Sequence, residues 1–536
     1  MPALVNLVLG AVGTYPITTF IIAALAAVYV VLYQLQKTKD NVSEPPIIPS
    51  KIPFLGHVLG MLFHGGRYVK NIGLQNPNLP IFTLPIPFSR MYIVTDPSLA
   101  STVQRASKQL SFTPLVPDIT KRVLGLDSST VSIVRQKIDH ATPGEEKGFL
   151  ADMHDFVATS FGPGDTLESL SLVAARELVR QVSLFAAEEE VDLLDWIRHF
   201  VTIATANFFY GPLNPFPSEP ELEQAFWDFD SGLGSLLALG PLARLFAPRA
   251  LYGREKLVKA FQKYLSPPSA LQKADPLVQK RVAIALHHGW TLKETARSDV
   301  SFLFAGIVNT ATTAFWVVVH LFAEPKLLEE IREELLSSSV STVDGKAEEG
   351  REMLRLDLKK LKENNNTPKL HALLKECLRS NSDTYSTRLV VPTTPVFLNE
   401  YYLRPGSIVQ ISGGTMHASP AIWGEDVSLF KADRFLSTQT PTTDNNSRKK
   451  ETQKQHPGFR AFGGGKTLCP GRHFATAEIL ALVAIIAIKF DISSCDEERI
   501  KIPEKEDGVM PVHVLEPKTR VKVRVRVRDG REVRVV

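Results

Sequence analysis

The run Phe462-Gly463-Gly464-Gly465-Lys466-Thr467-Leu468-Cys469-Pro470-Gly471-Arg472-His473-Phe474-Ala475 constrains this chain more than any other stretch. Consecutive glycines permit tight loops and close backbone approach, and here they lead straight to a cysteine. The residues after it have helical spacing of apolar positions, so a helix is expected over Arg472 to Phe490. A cysteine just ahead of a helix start faces amide N–H groups and the positive end of the dipole, both of which favour thiolate over thiol. Phe462 places an aromatic ring where it can shield the sulfur from water. The chain has three cysteines, Cys377, Cys469 and Cys495, too few and too scattered for a disulfide framework. Cysteine chemistry here is therefore metal or catalytic chemistry.

The opposite end of the chain bears on location. No charged side chain precedes Lys37, and Ile17 to Leu35 is almost continuously apolar, close to the ~20 residues that cross a bilayer as a helix. Tyr15, Tyr29 and Tyr33 suit the headgroup layers, and Lys37 with Lys39 keeps the following bulk on the cytosolic side. A cleaved signal peptide, the competing assignment, has a basic start and a shorter apolar core. Residues 1–40 are expected to form a membrane anchor. Residues 41–53, with Pro45, Pro46, Pro49 and Pro53, are expected to form a stiff proline-rich hinge that holds the domain off the membrane. Residues 54–536 are expected to form one catalytic domain. Eight of the basic residues fall between Pro517 and Val536 against two acids, so the basic charge is no broad nucleic-acid footprint.

Between these ends the pattern is helix-rich with small sheets, an α+β class. Residues 54–110 carry β-like runs at Pro80 to Leu84 and Met91 to Val94 and are expected as a small sheet region. Helical periodicity dominates from about 145 to 335. Leu292 to Phe322 has no internal proline and Pro325 just beyond it, which predicts a long central helix, and Pro368 to Ser380 predicts another with proline at its start. Strands return from Arg388 to Gln410. Residues 437–457 are polar and read as a surface insertion. Val521 to Arg528 alternates valine with Lys or Arg, a half-exposed strand.

On the run from Phe462 to Gly471 the chain resembles the cytochrome P-450 family, whose haem signature Phe-x-x-Gly-x-x-x-Cys-x-Gly is matched by Phe462, Gly465, Cys469 and Gly471. Glu376-Cys377-Leu378-Arg379 resembles the family's Glu-x-x-Arg, and Phe430 to Phe435 its following arginine motif. The resemblance implies that Cys469 is the axial ligand of haem b. It also implies a structural triad Glu376–Arg379–Arg434, a mainly helical fold of this family behind an N-terminal transmembrane helix, and electrons from NADPH through a cytochrome reductase. Endoplasmic-reticulum attachment with a cytosolic domain follows from it as well. Thr467 stands where many members carry the Arg or His that holds a haem propionate. Arg388 is the candidate for that role, and a second propionate partner is unassigned.

The helix expected over the cofactor departs from the common pattern. In Phe304-Ala305-Gly306-Ile307-Val308-Asn309-Thr310-Ala311-Thr312-Thr313, Val308 replaces the usual acid and Asn309 the usual alcohol. An amide orients water but is not an acid, so Asn309 and Thr310 are the candidate catalytic residues. This variant is similar to the branch containing cholesterol 7-alpha-hydroxylase and prostacyclin synthase, and to fungal secondary-metabolite oxidases. The expected activity is therefore monooxygenation of a lipophilic small molecule, terpenoid, steroid-like or polyketide. A haem-thiolate isomerase or dehydratase needing no external electrons is the alternative, and a non-catalytic haem-binding sensor a further one. Substrate contacts are expected from Phe112 to Pro117, Phe208 to Tyr210, Phe302 to Asn309, Thr384 to Thr387 and Met510 to Val512. Arg448, Lys449 and Lys450, with Arg460 and Lys466, bracket the cysteine loop, and some of them are expected to steer an acidic reductase. His473, Cys377 and Cys495 are not expected to act as ligands.

Overall fold

The computed structural model describes residues 16–138, 145–185, 188–266, 275–337, 339–346, 352–391, 395–436, 456–496, 499–509, 514–528 and 531–536. Helix α1 (Pro16–Lys37) projects from the rest with an exposed apolar surface. Then follow α2 (Gly56–Gln75), β1 (Ile81–Ile86), β2 (Ser89–Val94), α3 (Pro97–Arg105) and β3 (Leu110–Ser111). A largely helical body includes α4 (Leu193–Tyr210), α5 (Pro276–His287) and α6 (Leu292–Ala323). Helix α7 (Pro368–Asn381), β4 (Tyr385–Val390), β5 (Ile408–Ser412) and α8 (Arg472–Lys489) complete the frame of the site. The mainly helical α+β class expected from the sequence is the one observed.

Strands β1 to β5 make one sheet in the order β1-β2-β5-β4-β3, with β5 parallel to β2 and antiparallel to β4. That order explains how Arg388, opposite Val409 in the register, arrives beside the cysteine loop. Helix α6 runs about 48 Å through the centre. Its Thr291 cap accepts from the Glu294 N–H at 3.2 Å, in a Thr-x-x-Glu pattern, and Pro325 follows its end. It is as apolar as α1 but mostly buried, which makes it a core helix. Its valines and aromatics meet α4 and α8 in one hydrophobic core.

Two expectations need correction. Residues 54–110 are not mainly a sheet region, because α2 occupies Gly56–Gln75. Its five glycines lower helix propensity and hide the pattern, and Gly65 breaks the helix at φ 55° where the Val509 backbone presses on it. Nor is the proline stretch a free spacer. Thr83 of β1 donates its N–H to the Pro46 carbonyl at 2.8 Å and its hydroxyl to that of Pro45 at 3.0 Å, while its own carbonyl accepts from the Ile48 N–H. Prolines cannot donate, but their carbonyls accept, so the stretch lies along a sheet edge. The carboxylate of Glu44, fully buried, takes the Tyr92 hydroxyl at 2.9 Å and faces the Arg90 Nε at 3.3 Å.

At the C-terminal end Lys522–Val527 alternates exposed Lys522, Arg524 and Arg526 with buried Val523 and Val525, as its period implies. Arg524 pairs with Glu190 on the neighbouring strand at 2.8 Å. A strand not foreseen, Arg531–Val535, runs parallel to Glu352–Leu356. Of the polar insertion only His456 and Pro457 are described; Tyr15, Arg448, Lys449, Lys450 and Met510 to Val512 also lie outside the described residues.

Candidate active site

Helix α8 starts at Arg472, so Cys469 ends the loop that precedes it. The loop holds itself together. The Cys469 N–H donates to the Phe462 carbonyl at 2.9 Å, the Gly463 N–H to the Arg460 carbonyl at 2.9 Å, and the Leu468 N–H to the Gly465 carbonyl at 3.1 Å. Gly463 and Gly465 have φ of 72° and 60°, values that L side chains adopt only with strain. A side chain at Gly464 or Gly465 would also overlap Gln104 from α3. The glycines therefore let the loop press on α3 while turning back sharply enough to present the sulfur.

The cysteine lies in the wall of a cavity of about 680 Å³. Phe302, Ala305, Gly306, Asn309, Thr310 and Thr313 of α6 form one side; Phe462, Pro470, Gly471, Phe474 and Ala475 form the other. Phe112, Phe161 and Phe209 extend the apolar lining. Burial pushes the Cys469 thiol up, and the backbone N–H groups of Gly471 and Arg472 with the Arg472 charge offset only part of it. The amide groups at the helix start thus favour the thiolate, as the sequence implies, against the cost of burial.

Two guanidinium groups enter this lining. Arg388 donates to the Thr467 hydroxyl and to the Thr387 carbonyl, so a cation from β4 reaches the very position where the loop lacks one. Arg460 donates to the Pro97 carbonyl at 2.9 Å and lies 3.4 Å from the Gln104 side-chain oxygen, and its buried Nε has no partner. Desolvation lowers the pKa of both arginines. Among the described residues neither is ion-paired with a carboxylate, and an uncompensated buried cation is costly. The cavity therefore suits a flat apolar group with anionic arms at one edge and a sulfur-seeking metal at its centre, which are the features of haem. Of the basic residues bracketing the loop, Arg460 faces the cavity, a placement that local sequence does not reveal because nothing in it distinguishes a loop arginine that turns inward.

The remaining site residues fall as follows. Arg379 forks onto Glu376 at 2.7 and 2.8 Å, and Arg434 donates to the same carboxylate at 3.1 Å. The Lys431 N–H reaches it too, and Arg379 also donates to the His417 carbonyl. The three side chains form one buried cluster that ties α7 to the segment before the loop. Asn309 lines the cavity, but its Oδ1 accepts the Val514 N–H at 2.7 Å. The Thr310 hydroxyl donates to the Gly306 carbonyl at 2.8 Å. Of the expected substrate segments, Phe112, Phe209, Phe302, Ala305, Gly306, Asn309 and Thr384 to Thr387 line the cavity. Phe208 instead stacks on Phe474 at 3.7 Å, and Tyr210 is buried against Phe261. His473 is exposed and Cys377 buried outside the cavity. No Asp or Glu appears among the described lining residues.

A feature absent from the sequence expectations is Glu478 on α8. It is fully buried, and burial raises its pKa to about 8, against the Thr205 hydroxyl that reaches both carboxyl oxygens at 2.9 and 3.1 Å. An acid inside the apolar run of α8 was the available signal.

The family model for cytochrome P-450 matches residues 45–523. A cytochrome P-450 monooxygenase (nodJ) of Hypoxylon pulicicidum is 29% identical, over 84% of this chain and 83% of the relative. A cytochrome P-450 monooxygenase of Gibberella zeae is 25% identical over 89% and 86% of the two chains. The human 7-alpha-hydroxycholest-4-en-3-one 12-alpha-hydroxylase is 24% identical over 90% and 93%. With the thiol-bearing loop, the central helix and the cavity between them spanned by that match, this chain belongs to the cytochrome P-450 family of haem-thiolate monooxygenases.

Proposed function

We propose that this protein is a membrane-attached monooxygenase that oxidises a lipophilic polycyclic small molecule, terpenoid or steroid-like, with electrons from NADPH delivered by a reductase. The observation that carries this is the apolar cavity into which Cys469, Arg388 and Arg460 all project. Named relatives that are hydroxylases of cholesterol derivatives and fungal monooxygenases support a substrate of that size and polarity. Haem b is the family's cofactor; when bound, its thiolate-ligated iron supplies dioxygen activation.

The chain's own residues then do the following. Cys469 would hold the haem iron through its sulfur, with Phe462 beside it in the cavity wall to limit water access. Arg388 and Arg460 would hold the haem propionates by charge-assisted bonds. The Glu376–Arg379–Arg434 cluster ties α7 to the segment ahead of the cysteine loop and moves no proton. Asn309, with its oxygen engaged by Val514, is left with an Nδ2 donor for the cavity, and Thr310 keeps its hydroxyl on Gly306. These groups orient water or substrate and are not acids.

Attachment to the endoplasmic-reticulum membrane through α1, with the domain in the cytosol, is supported by the exposed apolar surface of that helix. Lys466, exposed on the cysteine loop, remains a candidate contact for the reductase. One observation favours the alternative of an isomerase: the described lining offers no carboxylic acid. Purified protein should give the thiolate-type absorption band when reduced under carbon monoxide, and should convert substrate only when NADPH and reductase are supplied. A nitrogen-type band overturns the thiolate assignment. Turnover of an oxygenated substrate without NADPH selects the isomerase.

A further inference from the structure

Behind the cavity wall lies an ion pair that the proposed chemistry does not use. Arg281 of α5 and Asp299 of α6 are both fully buried and form an ion pair with each other. The guanidinium also lies over two rings, Phe302 with its centroid 4.6 Å away and Tyr210 at 5.2 Å. Tyr210 is held in turn, its hydroxyl donating to the Asp299 carbonyl at 3.2 Å and its own carbonyl accepting from Tyr264 at 2.8 Å. Phe302 follows Asp299 by one helical turn, so the two project from the same side of α6. Phe302 is also a cavity-lining residue, edge-to-face with Phe209. One guanidinium is thus clamped by a carboxylate and a tyrosine and overlies a ring of the cavity wall.

Burying such a pair brings little net stability, since apolar replacements of equal volume are commonly neutral or better. Its value is then positional. A phenylalanine on a cavity wall has a free χ1 and χ2 unless something covers it, and a desolvated cation over its face holds one ring orientation. We propose that Arg281 and Asp299 are positioning residues that fix the Phe302 ring as a rigid wall of the substrate cavity and thereby set which large hydrophobic molecules it accepts. This rests on the cavity being the substrate chamber of a haem protein.

The test uses full-length, haem-loaded protein and two nitrogen ligands read by their absorption shift: imidazole, too small to reach the wall, and clotrimazole, whose three aryl rings fill the cavity. Arg281→Lys keeps the charge pair but loses the flat stack on Phe302; the combined Arg281→Met and Asp299→Leu change removes the pair without leaving a lone charge. Both are expected to bind clotrimazole about tenfold more weakly and imidazole as the wild type does, with unfolding midpoints that do not track the loss. Phe302→Leu should weaken clotrimazole similarly, and adding it to Arg281→Lys should cause no further loss. Unchanged clotrimazole affinity in folded Arg281→Lys or Phe302→Leu protein overturns the proposal, as do additive losses or an equal effect on imidazole. Should the combined change fail to fold, the lysine variant and its cycle with Phe302→Leu decide. Wild-type protein that loads haem but shifts with neither ligand overturns the chamber assignment itself, a result distinct from any variant's.

Discussion

Cys469 and Glu478 share one loop–helix unit, and burial pushes both toward their neutral forms. For the cysteine, a bound metal would reverse that tendency. Cys469→Ala is expected to abolish the thiolate-type band of the reduced carbon-monoxide complex, and Cys377→Ala to leave it unchanged, as absorption spectra will show. For Glu478 the consequence is pH-dependent stability. Its folded pKa of about 8 lies above the ordinary 4.5, so the folded state holds the proton more tightly. The associated stability is full at low pH and is lost as pH rises from 4.5 through 8. Relative to Glu478→Gln, wild-type stability should fall over that window by at most about 5 kcal/mol, read from denaturation midpoints at several pH values. His417 acts with the opposite sign. Burial lowers its pKa to about 4 from 6.5, so its contribution is lost as pH falls through that interval. At this scale the sequence displayed the cysteine through its glycines. Glu478 and Arg460 depend on which way a side chain turns, which local sequence does not encode.

At the scale of elements, the Glu376 cluster joins α7 to the segment containing Arg434 and, through Arg379, to the His417 carbonyl. Removing the carboxylate leaves two guanidiniums without their shared anion, a loss of about 3–5 kcal/mol by analogy with other buried pairs. Glu376→Ala should therefore lower the denaturation midpoint and the haem-to-protein absorbance ratio together. The i, i+3 spacing of Glu376 and Arg379 was visible in sequence, and their third partner came through the family resemblance. Helices α6, α7 and α8 were legible because each combines a clear period with a proline or glycine boundary. Helix α2 was not, because glycines needed for close contacts with Ser50, Tyr68 and the Val509 backbone interrupt its pattern.

For the molecule as a whole, the junction between α1 and the body decides how the domain sits. The Gln36 side chain, fully buried in the last turn of α1, donates to the Ser50 carbonyl at 2.9 Å and accepts the Ser50 N–H at 3.3 Å. Arg90 donates to the Thr38 carbonyl at 2.7 Å, and the Tyr29 hydroxyl to that of Lys51 at 3.0 Å. The helix thus enters the domain through a fixed joint. Deleting residues 1–37 is expected to move the protein from the membrane pellet to the supernatant. Gln36→Ala should stay in the pellet, with faster amide hydrogen exchange at Thr38 to Ser50. Equal exchange in both forms would show that the joint is not held by Gln36.

Short-range chemistry alone accounts for the cysteine loop, the apolar span of α1, the long core helix, and the valine–cation alternation of the late strand. Each is written in neighbouring residues, because glycine torsions, helical period and strand period are local properties. Chain closure is what brings Arg388 and Arg460 into one cavity lining, engages the Asn309 oxygen with Val514, and lays the proline stretch along β1. It alone also placed Arg281 over Phe302. Those contacts join segments tens to hundreds of residues apart, and the burial that makes them matter exists only once the chain has closed on itself.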